Sequence, residues 1–192
     1  SEEGVRRFWK WFGDSKAVDD QGRPQVWYHG TAPGWRGANV DFEEFQPGRD
    51  GAIWFGDAET GAGFANEKAG QFDRQIDAEG QVLYPVYLRV ANPMEVDYSD
   101  GELSLEGLIK EAKAKRHDGL RIKNIEDKVL PDGSLAPTTT MAVWSSDQAK
   151  SATGNSGQFA QGEGRIAYSR AKLPDTIEVD GVDRPTTNSE GK

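Results

Sequence analysis

Apolar residues recur at helical spacing in three parts of the chain. Near the start, Val5, Phe8, Trp9 and Phe12 lie three or four positions apart, and Gly13 is suited to end a helix. Alanines follow Asp57, a residue that can cap a helix at its amino end. The third apolar stripe consists of Leu105, Leu108, Ile109 and Ala112. We therefore predict short helices over about 4–13, 58–70 and 103–115.

Between these helices, short runs are rich in β-branched and aromatic residues, the composition typical of strands. The predicted strands are 25–29, ending before Gly30, then 52–55, 81–90, 119–123 and 141–144. Short strands interrupted by small helices indicate an α+β domain with a mixed or split sheet. Polar, Gly-rich sequence follows Ser151. We predict one domain over 1–170 and a flexible tail or linker over 171–192.

Composition narrows the classes of protein. A net charge of -9 argues against a domain that holds nucleic acid by bulk charge. The chain has no cysteine, which rules out disulfides and thiol catalysis and fits a reducing compartment such as the cytoplasm. With two histidines, a zinc site would have to be completed by carboxylates, so no metal is expected. The chain contains no apolar run of membrane-spanning length.

Two segments carry candidate chemistry. Tyr28-His29-Gly30-Thr31 places an imidazole beside a backbone position without a side chain, which could bind a planar carboxamide while the histidine binds a hydroxyl. Trp54 and Phe64 lie in a strand-then-helix unit rich in small residues, and aromatic faces attract cationic rings such as nicotinamide in NAD. Taken singly, each has a plainer interpretation: a histidine next to a turn glycine, and two core aromatics.

Three pieces of the chain belong together in this order: Tyr28-His29-Gly30-Thr31, the stretch 51–65 with Trp54 and Phe64, and the stretch 141–155. They resemble the ADP-ribosyltransferase fold of the diphtheria-toxin and poly(ADP-ribose) polymerase type. Five motifs recur more specifically, namely Trp11-Phe12-Gly13-Asp14-Ser15-Lys16, Tyr28-His29-Gly30-Thr31, Leu83-Tyr84-Pro85-Val86-Tyr87-Leu88, Asp118-Gly119 and Gln148-Ala149-Lys150-Ser151-Ala152-Thr153-Gly154-Asn155. With them the chain is most similar to the ADP-ribosyltransferase domains of phage and prophage polyvalent proteins, and the resemblance runs from about residue 8 to 170.

The resemblance implies roles for residues of the first two candidate segments. His29 would hold a ribose hydroxyl of NAD, Gly30 would clamp the nicotinamide carboxamide, and Thr31 would complete this NAD-binding stretch. Trp54 and Phe64 fall where the family has tyrosines, and they would stack on the two faces of the nicotinamide ring. Within this site, the resemblance implies catalytic roles for His29 and Trp54.

One position departs from the family pattern. The family glutamate lies eight residues before the glutamine that Gln148 matches, and this chain has Thr140 there. A hydroxyl supplies a hydrogen bond but no charge, and loss of one such contact typically costs about 10²–10³ in rate. Glu126, Asp127 and Asp147 are the nearest acidic residues along the chain, and the sequence does not choose among them.

The resemblance implies a toxin-like mono-ADP-ribosyltransferase, a glycosyltransferase that uses NAD as substrate and releases nicotinamide. Its acceptor would be a protein or nucleic acid of a host bacterium, reached in the host cytoplasm, with no membrane partner. Because of Thr140, two alternatives stay open. One is an NAD-binding module without transferase activity, and the other is an NAD glycohydrolase with water as acceptor.

Overall fold

The computed structural model describes residues 1–32, 43–72, 82–99, 104–130, 134–153, 159, 165–166, 176–179 and 182–185. Its helices are α1 (Glu2–Phe12), α2 (Ala58–Phe72) and α3 (Leu105–Ala114). The strands are β1 (Trp27–Thr31), β2 (Ile53–Phe55), β3 (Val82–Leu88), β4 (Pro93–Asp97), β5 (Gly119–Val129), β6 (Leu135–Val143), β7 (Ala149–Ser151), β8 (Thr176–Val179) and β9 (Val182–Pro185).

The main strands form two sheets. The first is antiparallel, in the order β1-β3-β7. The second has the order β2-β6-β5-β4, in which β4 and β5 are parallel and the other pairs antiparallel. Helix α3 connects the parallel pair, as parallel strands require a crossover. The predicted α+β class with a split, mixed sheet is confirmed.

Three apolar clusters hold these layers together. The largest lies between the sheets, with Val86 and Leu88 from the first meeting Ile53, Phe55 and Met141 from the second. A second cluster packs α3 on the opposite face of the second sheet. In the third, α2 covers the outer face of the first sheet. The layer order is therefore α2, first sheet, second sheet, α3.

The two sheets also meet through hydrogen bonds at the edges of β1 and β2. Tyr28 N donates to Gly56 O at 2.9 Å, and Gly56 N donates to Tyr28 O at 3.0 Å. Asp57 follows this junction directly and caps the amino end of α2, because its carboxylate accepts a hydrogen bond from Thr60 N at 2.7 Å. The predicted Asp57 cap of the second helix is thus confirmed.

Several predicted strand bounds were wrong. Gly30 lies inside β1, opposite Leu83, and does not end the strand. Pro93 does not end strand structure either, because it begins β4, where an edge strand tolerates proline at its first position. Strands β5 and β6 are longer than predicted, and β7 was not predicted.

The segment predicted as a tail contains an antiparallel pair, β8 and β9. Residues 33–42 and 131–133 and the Gly154-Asn155 end of the last motif lie outside the described residues. Among the helices that the structure describes, none has the length and apolar content needed to cross a membrane.

Candidate functional site

His29 occupies the middle of β1, beside the junction of the two sheets. Its Nδ1 lies 2.9 Å from the carbonyl oxygen of Trp54. Since a carbonyl oxygen can only accept, Nδ1 is the donor in this contact. The ring packs against Phe45 and Phe55, with centroids 4.9 and 5.6 Å away. The strand, the carbonyl and the two phenyl rings therefore fix the orientation of the imidazole.

Gly30 follows His29 and faces α2. A Cβ atom at this position would overlap the carbonyl oxygen of Gly61 and would lie 2.9 Å from Ala65 N. Gly30 is therefore required by the close approach of the α2 backbone to β1, whatever else it does. Thr31 ends the strand and is buried, opposite Val82.

On the outer face of β1, burial, together with the nearby Tyr87, raises the pKa of Tyr28. Its hydroxyl therefore stays protonated at neutral pH.

Trp54 belongs to the other face of the second sheet. It pairs with Ala142 and packs on the cluster under α3, whereas its neighbours Ile53 and Phe55 face the cluster between the sheets. The indole Nε1 donates to Asp50 Oδ2 at 2.7 Å. The imidazole of His29 thus contacts the backbone of Trp54 but lies on the side of the strand opposite its indole.

Phe64 is half-buried on α2, one helical turn beyond Thr60. Residues four apart lie on the same side of a helix, so Phe64 shares the side on which Thr60 meets β6. Within the part of the chain that the structure describes, Trp54 and Phe64 make no ring contact with each other. Both side chains keep a partly exposed surface.

Thr140 lies on β6 and is fully buried, at 0% exposure. It stands opposite Ile122, and its Oγ1 has no hydrogen-bond partner among the described residues. Because alternate residues of a strand share a face, Thr138, Thr140 and Ala142 point to the same side, and Trp54, opposite Ala142, shares it.

The three acidic residues nearest along the chain have different surroundings. Asp147 forms an ion pair with Arg89 at 2.9 Å and also accepts a hydrogen bond from the Ser145 hydroxyl. Glu126 is exposed on β5, opposite Pro137, and Asp127 is half-buried next to it.

The carboxylate that contacts the threonine face of β6 is Asp57. The Thr138 hydroxyl donates to its Oδ2 at 3.3 Å. Sequence reasoning assigned Asp57 a helix cap alone, because the contact joins residues 81 positions apart. The run Thr138-Thr139-Thr140 was the sequence signal for this face. Among the described residues, no cluster of three or more His, Cys, Asp or Glu could hold a metal ion.

The sequence profile of the family described as "ADP-Ribosyltransferase in polyvalent proteins" matches residues 19–159. No curated protein and no solved structure matches the chain. The matched region contains both sheets and the candidate residues His29, Gly30 and Thr140. The match covers well over half of the 192 residues, and ADP-ribosyltransferases use NAD as substrate. The chain therefore belongs to the family of ADP-ribosyltransferases found in polyvalent proteins.

Proposed function

We propose that this domain transfers ADP-ribose from NAD to one acceptor group on a host macromolecule and releases nicotinamide. The observation that carries the proposal is the placement of His29. Its Nδ1 lies 2.9 Å from the Trp54 carbonyl, and this contact fixes the orientation of the imidazole that the proposal assigns to a ribose hydroxyl. The adjacent backbone of Gly30 and Thr31 would receive the carboxamide side of the dinucleotide.

In this proposal the glycosidic bond of NAD breaks and its electron pair leaves with nicotinamide. A lone pair of the acceptor then forms the new bond to the ribosyl carbon, and the proton of the acceptor passes to water. The protein orients the ribose through His29. Holding the reactants in a productive geometry accelerates a reaction even where the enzyme forms no covalent bond to them. Phe64 is the proposed aromatic neighbour of the nicotinamide ring, because it is partly exposed on the side of α2 where Thr60 meets β6. The indole of Trp54, which the sequence predicted on the other face of the ring, lies on the side of its strand opposite the imidazole of His29.

The buried, uncharged Thr140 favours a second candidate, a module that binds NAD without turnover. Incubation of the protein with NAD labelled in its adenine part, in bacterial lysate and in buffer, separates the candidates. Label on a macromolecule with release of nicotinamide supports the transferase. Release of nicotinamide without such label identifies a glycohydrolase, and saturable binding without release identifies the module. The host bacterial cytoplasm is the proposed place of action.

His29→Ala tests the site itself. We expect it to weaken NAD binding by several-fold, the effect of losing a hydrogen bond worth about 1 kcal/mol. His117→Ala is a matched control, because His117 also places Nδ1 near a backbone carbonyl, that of Asn92 at 3.1 Å, but outside the proposed site. Equal NAD affinity of the two variants, measured by calorimetric titration, would refute the assignment of His29.

A further inference from the structure

Asp57 stands where β2 passes into α2, and its two carboxylate oxygens have different partners. Oδ1 accepts from Thr60 N at 2.7 Å and caps the helix, whereas Oδ2 accepts from the Thr138 hydroxyl at 3.3 Å and lies 4.0 Å from Lys128 Nζ. The Thr60 hydroxyl in turn lies 3.4 Å from that of Thr138. The side chain of Asp57 is 41% exposed. One oxygen therefore serves the helix, and the other faces β6 from a position that solvent or a ligand can reach.

Next on the same face of β6 is Thr140, with a buried hydroxyl that lacks a partner among the described residues. Buried polar groups are nearly always hydrogen-bonded, so an exception requires a physical reason. Thr138 and Thr140 are two residues apart on one face of β6, so the Asp57 carboxylate contacts the residue that neighbours Thr140 on that face.

The other acidic residues lack this combination. Asp147 is ion-paired with Arg89 at 2.9 Å, a closer pair than the 4.0 Å between Asp57 and Lys128. Glu126 projects from the exposed part of β5. Glu59, in the first turn of α2, contacts Lys128, whose Nζ lies 4.0 Å from Asp57. Among the described hydrogen bonds, Asp57 makes the one that joins a carboxylate to the threonine face of β6, through the hydroxyl of Thr138.

We infer that Asp57 supplies the negative charge that stabilises the positively charged ribosyl group, an inference that rests on the proposed transfer from NAD. As the bond to nicotinamide breaks, positive charge develops on the ribosyl carbon and its ring oxygen. A fixed carboxylate lowers the energy of this state without forming a bond to it. Thr140, being uncharged, cannot do so. Thr138 is a positioning residue, because its hydroxyl directs Oδ2 of Asp57.

The decisive variant is Asp57→Asn, assayed with labelled NAD on the full chain. Asparagine caps helices as well as aspartate does, so the fold is retained while the charge is lost. We expect kcat for nicotinamide release to fall by about 10²–10³, with KM for NAD within a few-fold of the parent. Asp57→Glu keeps the charge and is expected to recover at least about ten-fold over Asp57→Asn.

Glu106→Gln is the matched control, because it removes an exposed carboxylate from the first turn of another helix, α3, and is expected to leave kcat within about two-fold. Urea unfolding of each variant separates lost chemistry from lost structure. If Asp57→Asn does not fold, Asp57→Ser, which also caps a helix, takes its place. Turnover by the charge-deleted variant within about three-fold of the parent overturns the inference and leaves the proposed transferase intact. Absence of any turnover by the parent protein overturns the proposed transferase, and this inference with it.

Discussion

Replacement of Gly30 by alanine is the perturbation with the best-defined structural cost. The added Cβ would overlap Gly61 O and would lie 2.8 Å from Gly61 C and 2.9 Å from Ala65 N. All three are backbone atoms of α2, so no side chain can rotate to make room. Carbon atoms pack best at about 3.5–4.0 Å, so α2 would have to retreat from β1 by at least about 0.7 Å to relieve the longer two contacts.

Such a retreat weakens the whole contact between α2 and the first sheet. A gap of about 0.5–1 Å forfeits a quarter to a half of the dispersion energy of each atom pair, and overpacking typically costs about 1–3 kcal/mol. Because the overlap is with backbone, we expect the upper end, about 3 kcal/mol. With a urea dependence of about 2 kcal/mol per molar, the unfolding midpoint would fall by roughly 1.5 M.

The assay is urea unfolding followed by far-ultraviolet circular dichroism, with Gly107→Ala as the control. Gly107 lies in α3, where a Cβ would be no closer than 3.6 Å to Ser104 Cβ. There alanine should stabilise the helix by about 0.5 kcal/mol, since glycine is the poorer helix former. If Gly30→Ala unfolds within about 0.5 kcal/mol of the parent, the close approach of α2 to β1 is not what requires glycine at this position.

Three further outcomes are expected. Thr140→Val should raise the free energy of unfolding by about 1 kcal/mol, because it replaces a buried, unpartnered hydroxyl by a methyl group of similar shape, and a loss of stability in urea would contradict this. Asn124 has φ 59°, so Asn124→Ala should cost about 1–2 kcal/mol whereas Asn124→Gly should cost less; equal melting of the two would refute strain at this position. Hydrogen bonds from Ser99 and Asn124 hold the pKa of Asp97 below its ordinary value of 3.8, so its stabilisation is full above that pH and lost as pH falls through the folded pKa. The difference in urea midpoint between the parent and Asp97→Asn should therefore shrink below about pH 4, and a difference that is constant with pH would contradict the assignment.

Local signals in the sequence were sufficient to predict where the helices lie. The stripe of Val5, Phe8 and Phe12, and the cap at Asp57, depend on neighbours within a few residues, and the structure contains both elements where the pattern predicts them. Strand β4 was missed because Asn92-Pro93 is also a turn signal. Strand β5 was shortened because its second half is charged and bends at a bulge near Asn124.

The candidate site was less predictable, for a geometric reason. The side of the sheet on which Trp54 lies depends on its register with Ala142, and a shift of one residue would reverse it. The bond between Asp57 and Thr138 joins distant parts of the chain, so no local pattern contains it. The motif Tyr28-His29-Gly30-Thr31 did locate β1, but the structural requirement for Gly30 comes from the α2 backbone.

The hydrogen-bonded seam between β1 and β2 has a mechanical consequence. It consists of a reciprocal pair of backbone bonds between Tyr28 and Gly56, and the imidazole of His29 adds a third bond across it to Trp54. A molecule that binds to His29 when this seam is closed stabilises the closed seam by its binding free energy, and so strengthens the contact between the two sheets. Amide hydrogens of Tyr28 and Gly56 would then exchange with solvent more slowly in its presence, so that the seam itself reports occupancy.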